Sequence, residues 1–225
     1  MSTSSTDAAT QFSGRSQSPV QRIQELLHKY PWVSPLVILL LSFVVFTILN
    51  PRFATAGSMG LLIQQTAIVA ALAIGQTLII LTAGIDLSVG AITILSMMVM
   101  ATLAMDGGMP GPLALVIGVG LATLAGMLNG LLVTRVNLPP FIVTLGTLNI
   151  AFAATQLYSG AQTITDIPAG MTALGNTFQL GQTAIVWGAV LMLVLYLVTW
   201  FALRETAPGR HVYAVGNSPE ATRLT

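Results

Sequence analysis

A single carboxylate, that of Asp86, lies between two long apolar stretches of the sequence. A charge in such a place is costly unless it reaches water, a partner or a backbone donor. Asp86 and Ser88 both offer side-chain oxygens to the free N–H groups at the start of a helix. Gly84 and Gly90 flank them and permit the backbone to turn without a Cβ clash. Segment 84–90 therefore predicts a helix break with a cap, and a sharper hypothesis adds conformational coupling or contact with a partner.

Uncharged amide side chains are the main polar groups within the apolar stretches. In a bilayer such amides usually hydrogen-bond across helices, at about 0.6 kcal/mol each. A minority could line a pathway for a polar solute, because amides replace water around hydroxyl groups without demanding charge. The candidates are Gln64, Gln65, Gln76, Asn129, Asn149 and Gln156.

Small residues recur at four-residue spacing at Ala122, Gly126 and Gly130. The segment 126–130 is a GxxxG pattern, which lets a second helix approach closely in a membrane. Because such patterns are frequent in membrane helices, we expect a role in helix packing.

Several kinds of chemistry lack their residues. Ion transport and proton relays need buried charge, and the apolar stretches contain no Asp, Glu, Lys, Arg or His. Both histidines, His28 and His211, lie outside these stretches, and cysteine is absent, so metal and nucleophilic sites in the membrane are not expected. Tyr30 rather than Ser or Thr follows the only lysine, Lys29, so there is no Walker loop. Any ATP-driven work must use another chain, and no cofactor is expected in this one.

The charged residues also define the elements that must position these groups. The 225 residues are 54% hydrophobic and 7% charged, with a mean hydropathy of +0.84 and a net charge of +1. This composition excludes an ordinary soluble protein, whose surface needs many more charged residues. It also leaves no excess positive charge for binding nucleic acid. The charged residues are separated by six long intervals that contain no charge, and each interval can hold a membrane span of about 20 apolar residues. The predicted spans lie near 32–49, 61–82, 88–105, 112–134, 141–158 and 183–203.

The basic residues predict the orientation, because they are retained on the cytoplasmic side. With six spans and a cytoplasmic N-terminus, Arg52 is the only basic residue on the external side of the membrane. One bent span over 61–105 would instead put four further arginines outside, so six spans are favoured.

The polar segment 1–29 should be mostly disordered. The loop 159–182 is the natural external contact surface.

The last segment, after Arg204, predicts a docking element. An apolar patch at 212–215 precedes a predicted turn at Gly216 and Asn217. Ser218, Pro219 and Glu220 have the residue types of an N-cap and the first two positions of a helix. A helix of about six residues is not stable alone in water. We therefore expect this segment to dock into a partner, or the sequence to be truncated here.

Three blocks of sequence resemble the ribose-type permeases of bacterial ABC importers, in that family's order. They are 75–77 with 84–90, 129–130 with 138–147, and 209–210 with 216–224. The resemblance implies a homodimer of permeases, a pair of cytoplasmic ATPase domains and a periplasmic binding protein that delivers a sugar. It also implies that the segment from Ser218 to Thr225 begins a coupling helix, with Glu220, Ala221 and Arg223 contacting the ATPase.

The expected fold class is an all-α polytopic membrane protein with six of the about ten spans that the family carries. Its parts are a cytoplasmic tail at 1–29, the six spans within 30–204 and a cytoplasmic segment at 205–225. The expected function is a permease subunit in the bacterial inner membrane, present here as an incomplete fragment. A non-transporting membrane scaffold and, less favoured, an ion-coupled secondary carrier are the alternatives.

Overall fold

The computed structural model describes residues 24–25 and 27–223. The chain divides into a first unit that ends at Thr55 and a second that begins at Ala56. Most of the tail for which disorder is predicted lies outside the described residues, and its described end, 24–25 and 27–29, is helical.

The first unit contains helix α1, Val33–Leu49. Its sequence is mainly apolar and carries no charge, and none of its residues is buried. Phe53 follows the helix and packs against Phe43 and Phe46, with ring centroids 5.6 and 5.5 Å apart. An apolar helix with no buried face is expected where lipid rather than water surrounds it.

Among its described residues the second unit contains seven α-helices, one short 3₁₀ helix, Ala173–Gly175, and one hairpin. Proline helps to begin four of these helices, α4, α5, α7 and α8, because its fixed φ suits the first turn and no N–H bond is lost there. The helices are α2, Ala56–Leu81; α3, Val89–Met105; α4, Gly111–Thr134; α5, Pro140–Ser159; α6, Trp187–Glu205; α7, Ala207–Asn217; and α8, Pro219–Arg223.

Four of these helices, α2, α4, α5 and α6, are long and apolar enough to cross a membrane. Helices α1 and α3 are apolar but have 17 residues each. At 1.5 Å per residue they extend about 26 Å, somewhat less than a hydrocarbon core of about 30 Å. The protein is thus a mainly helical membrane protein, and the count of six spans remains a prediction.

Small residues dominate the buried interfaces of the second unit. Helix α3 packs on α4 and α5, while α2 packs on α6. Gly118 of α4 lies so close to α3 that an added Cβ would meet the Ser96 carbonyl oxygen at 3.1 Å. Large apolar side chains instead remain exposed along the helices, as expected for surfaces that face lipid.

A β-hairpin corrects the all-α prediction. Strands β1, Thr177–Leu180, and β2, Thr183–Val186, pair antiparallel around a two-residue loop. Gly181 occupies that loop with φ +64°, a conformation that glycine adopts at no steric cost. Helix α6 consequently begins at Trp187, and the predicted span start near 183 is wrong.

The hairpin is held by contacts with two helices of the same unit. Val186 is buried with Ala67 of α2 and Ala189 of α6. A Cβ at Gly60 would lie 2.7 Å from the Ala184 carbonyl oxygen, so β2 lies directly on the start of α2. This packing explains why residues 183–186, which are apolar enough to continue the helix, form a strand instead.

The turn predicted at Gly216 and Asn217 is also wrong, because both residues lie in the last turn of α7. The chain breaks one residue later, at Ser218, which is extended with φ −159°. An added Cβ at Gly216 would collide with the Leu81 carbonyl oxygen at the end of α2. Glycine at this position permits two helices to approach closely and does not turn the chain.

Candidate functional site

The loop between α2 and α3 carries the residues that the sequence singled out. Helix α2 ends where the Gly84 N–H donates to the Ile79 carbonyl oxygen at 2.9 Å. The left-handed residue is Ala83, with φ 58°, not a glycine. Gly84 is instead needed for space, because a Cβ there would lie 2.9 Å from the Ile79 side chain. Gly90 does not turn the chain either, since it belongs to the first turn of α3.

Asp86 and Ser88 form the first part of a hydrogen-bond network. One carboxylate oxygen of Asp86 accepts from the Ser88 N–H at 2.7 Å and from the Ser88 hydroxyl at 2.6 Å. Asp86 therefore accepts a hydrogen bond from a backbone N–H at the start of α3. Ser88 stands at the N-cap, but its side chain makes no capping bond, so the prediction that it caps is wrong. Its hydroxyl is already committed to Asp86.

Asn129 extends the network into α4. Its amide nitrogen donates to the Ser88 hydroxyl oxygen at 2.9 Å, and its amide oxygen accepts from the Thr147 hydroxyl of α5 at 2.5 Å. Ser88 is 0% exposed and Asn129 is 6% exposed. Asp86, Ser88, Asn129 and Thr147, which we call the polar network, thus run from the loop into two helices.

A second hydroxyl ties the same loop to α5. The Thr144 side chain lies 3.3 Å from the Ile85 carbonyl oxygen and 2.9 Å from that of Pro140. Thr144 is buried, so its hydroxyl gains most by finding acceptors within the protein. Thr144 and Thr147 were not predicted as site residues, although their spacing of three puts both hydroxyls on one helix face.

A cleft of about 440 Å³ lies beside the network. Its wall joins the loop after α2 to α4, α5 and α7, and it is mainly apolar. Gly126 and Gly130 border the cleft, and nothing lies within 4 Å of a Cβ added at either position. Close helix packing was predicted for Ala122, Gly126 and Gly130. Within the described part of the chain, no other helix packs closely against Gly126 or Gly130. The lining residues are Ile79, Thr82, Ala83, Gly84, Ile85, Asp86, Gly126, Asn129, Gly130, Val133, Thr134, Pro140, Thr144 and Val215.

The other amides predicted for a pathway do not join the network. Gln64 borders a separate cavity of about 310 Å³ between α2, α6 and the hairpin region. The side-chain oxygen of Gln76 is buried and has no hydrogen-bond partner among the described residues. Asn149 donates to the Leu145 carbonyl oxygen of its own helix at 2.8 Å. Gln65 and Gln156 are exposed.

The predicted docking residues begin the short helix α8. The Ser218 hydroxyl accepts from the Ala221 N–H at 3.3 Å, which is the geometry of an N-cap. Pro219, Glu220 and Ala221 are exposed. Arg223 closes the helix, and its side chain lies outside the described part of the structure. We call α7 and α8 together the docking segment.

Residues 24–25 and 27–223 contain no group of three or more His, Asp or Glu residues that could hold a metal ion. Four apolar helices of spanning length, with a buried polar network at one loop, define a polytopic helical membrane protein. Residues 58–225 match the family model described as "Branched-chain amino acid transport system / permease component". The chain belongs to this family.

Similar proteins are import permeases. The chain is 44% identical over 227 residues to the fructose import permease of Rhizobium meliloti, covering 98% of this chain and 63% of that protein. It is 34% identical to the ribose import permease of Bacillus subtilis (strain 168), covering 86% and 59%. It is 31% identical to the autoinducer 2 import system permease of Enterobacter sp. (strain 638), covering 85% and 54%. The chain thus spans less than two thirds of the length of these relatives, and no solved structure matches it.

Proposed function

We propose that this protein is a permease subunit of a bacterial ABC importer that carries a sugar or a similar polyhydroxylated solute across the inner membrane. The observation that carries the proposal is the 44% identity to a fructose import permease over 98% of the chain. A partner ATPase supplies the work, and a periplasmic binding protein delivers the solute. A second copy of the permease completes the route.

The kinds of polar group in the described helices support the proposal that the transported solute is neutral. The helices of spanning length carry amides and hydroxyls in their interiors, whereas charges lie only at their ends. A route without fixed charge suits a solute with many hydroxyl groups better than an ion, because hydrogen bonds replace its hydration without a large electrostatic bias. The similar proteins include a fructose and a ribose import permease, so fructose is the first probe.

The docking segment supports an ATPase partner on the cytoplasmic side. The described part of α8 exposes Glu220 and Ala221 at its start, so a charged side chain is available to a partner there. In this proposal all six apolar helices cross the membrane, the N-terminus is cytoplasmic, and the docking segment lies on that same side.

Reconstitution tests the proposal. The full-length permease, its ATPase and its binding protein are incorporated into proteoliposomes, and uptake of radiolabelled fructose is followed with and without ATP. We expect uptake only with ATP and the binding protein. Uptake driven by an ion gradient without ATP would instead identify a secondary carrier. Failure to copurify any ATPase from membranes would favour the scaffold.

A further inference from the structure

We infer that Ser88 is a positioning residue that transmits movement of the docking segment to helices α4 and α5. The inference rests on the proposed transport function. It concerns a step within that function, namely how ATP hydrolysis in a partner changes the shape of the membrane helices.

The first link joins the docking segment to the end of α2. Gly216 lies against the Leu81 carbonyl with no room for a Cβ, and Thr82 is the next nearest residue. Val215 borders the same cleft as Ile85 and Asp86. Because a close contact of this kind cannot be compressed, displacement of α7 toward α2 must move the residues that follow Leu81.

The second link is the loop itself, which is short and internally bonded. Gly84 is tied to Ile79 by a backbone hydrogen bond of 2.9 Å. Asp86 holds both the backbone and the side chain of Ser88. Hydrogen bonds to a carboxylate are stronger than those between neutral groups. These bonds tie the start of the loop to α2 and its end to Ser88, so only Ile85 lies between the two bonded parts.

The third link passes from the loop into the membrane helices. The Ser88 hydroxyl gives its hydrogen to Asp86 and accepts the hydrogen of Asn129. Asn129 in turn holds Thr147. Ser88 is fully buried, so water cannot replace either bond when one partner is lost. Its hydroxyl joins the loop to α4 and, through Asn129, to α5, while Thr144 makes a separate and longer contact between α5 and the Ile85 carbonyl oxygen.

Two pairs of variants test this junction in the full-length permease assembled with its ATPase and binding protein. Ser88→Ala removes both bonds of the junction. Its control is Ser96→Ala, because Ser96 is buried on the same helix and its hydroxyl has no partner among the described residues. The measured quantity is the number of fructose molecules taken up per ATP hydrolysed by the purified, assembled complex, so that ATPase without a folded permease does not contribute.

The second pair lies on α5. Thr147→Val removes the hydroxyl that donates a hydrogen bond to the Asn129 amide oxygen, while Thr147→Ser keeps that hydroxyl. The control is Thr155→Val, because Thr155 is buried on the same helix and its hydroxyl bonds only to Ala151 of that helix. This pair keeps the inference testable if Ser88→Ala does not fold.

We expect Ser88→Ala and Thr147→Val to lower fructose uptake per ATP by roughly threefold to tenfold, which lies within the range by which residues between two sites can change their coupling. Thr147→Ser, Ser96→Ala and Thr155→Val should keep the parent ratio. Loss of thermal stability with an unchanged ratio would overturn the inference, as would an equal effect of Thr155→Val. If the parent assembly itself shows no ATP-dependent uptake of fructose or ribose, the proposed function fails instead.

Discussion

The amide nitrogen of Asn129 donates to the hydroxyl oxygen of Ser88 across 2.9 Å, joining residues that are 41 positions apart in the chain. One side chain stands at the start of α3 and the other near the end of α4. Both are buried, so each satisfies a polar group that could not otherwise reach water. This pair holds the centre of the polar network.

Removing the Asn129 amide should destabilise the protein. Asn129→Ala removes two hydrogen bonds, one to the Ser88 hydroxyl and one from the Thr147 hydroxyl, although Ser88 keeps Asp86 and Thr147 keeps the Val143 carbonyl. At about 0.5–1.5 kcal/mol per bond, the loss lowers the unfolding free energy by about 1–3 kcal/mol. The matched control is Asn149→Ala, because Asn149 is exposed and bonds only within its own helix. Thermal unfolding in detergent should show a lower midpoint for the first variant alone. Equal midpoints would mean that the network contributes little to stability.

Adding a methyl group at Gly216 should disturb the contact between α7 and α2. Gly216→Ala collides with the Leu81 carbonyl, and overpacking of this kind costs about 1–3 kcal/mol. The control Gly130→Ala places its methyl in open space within the described chain. Limited proteolysis should therefore cut the first variant faster near the docking segment. Equal sensitivity of Gly130→Ala would contradict the open position of Gly130 and indicate that another helix packs there.

Cysteine labelling can test the six-span topology, because the chain has no cysteine of its own. We expect a membrane-impermeant maleimide to label Asp106→Cys and Asp166→Cys from outside, and Arg135→Cys only after permeabilisation. All three residues are exposed. Labelling of Asp106→Cys only after permeabilisation would show that α3, with its 17 residues, does not cross the membrane.

Reversing the charge at the start of α8 should weaken the ATPase complex. Glu220 is exposed in the first turn of α8, where it also favours the helix N-terminus. We expect Glu220→Lys to reduce copurification of the ATPase roughly tenfold, as loss of a charge contact across an interface can do. The control Gln179→Lys alters an exposed residue of the hairpin, which the proposed topology puts on the opposite side. If both variants retain the ATPase equally, docking through α8 is wrong.

Much of the helix layout follows from sequence because a bilayer allows so few solutions. Backbone groups in hydrocarbon must bond within their own segment, so long uncharged stretches form helices and charged residues mark their ends. The predicted bounds of α3, 88–105, and of α4, 112–134, each fall within a residue of the observed helices. The hairpin escaped prediction because residues 183–186 are as apolar as the helix that follows them.

Sequence alone determined that the chain is a membrane protein and that Asp86, Ser88 and Asn129 are candidate site residues, because burying polar groups among apolar residues is energetically costly. Tertiary structure decided what those groups do. Ser88 bonds to Asp86 and Asn129 rather than capping α3, and Gly216 fits against Leu81 rather than turning the chain. The contacts of Ser88 with Asn129 and of Gly216 with Leu81 depend on which helices pack together, and no local pattern specifies a contact between residues so far apart in sequence.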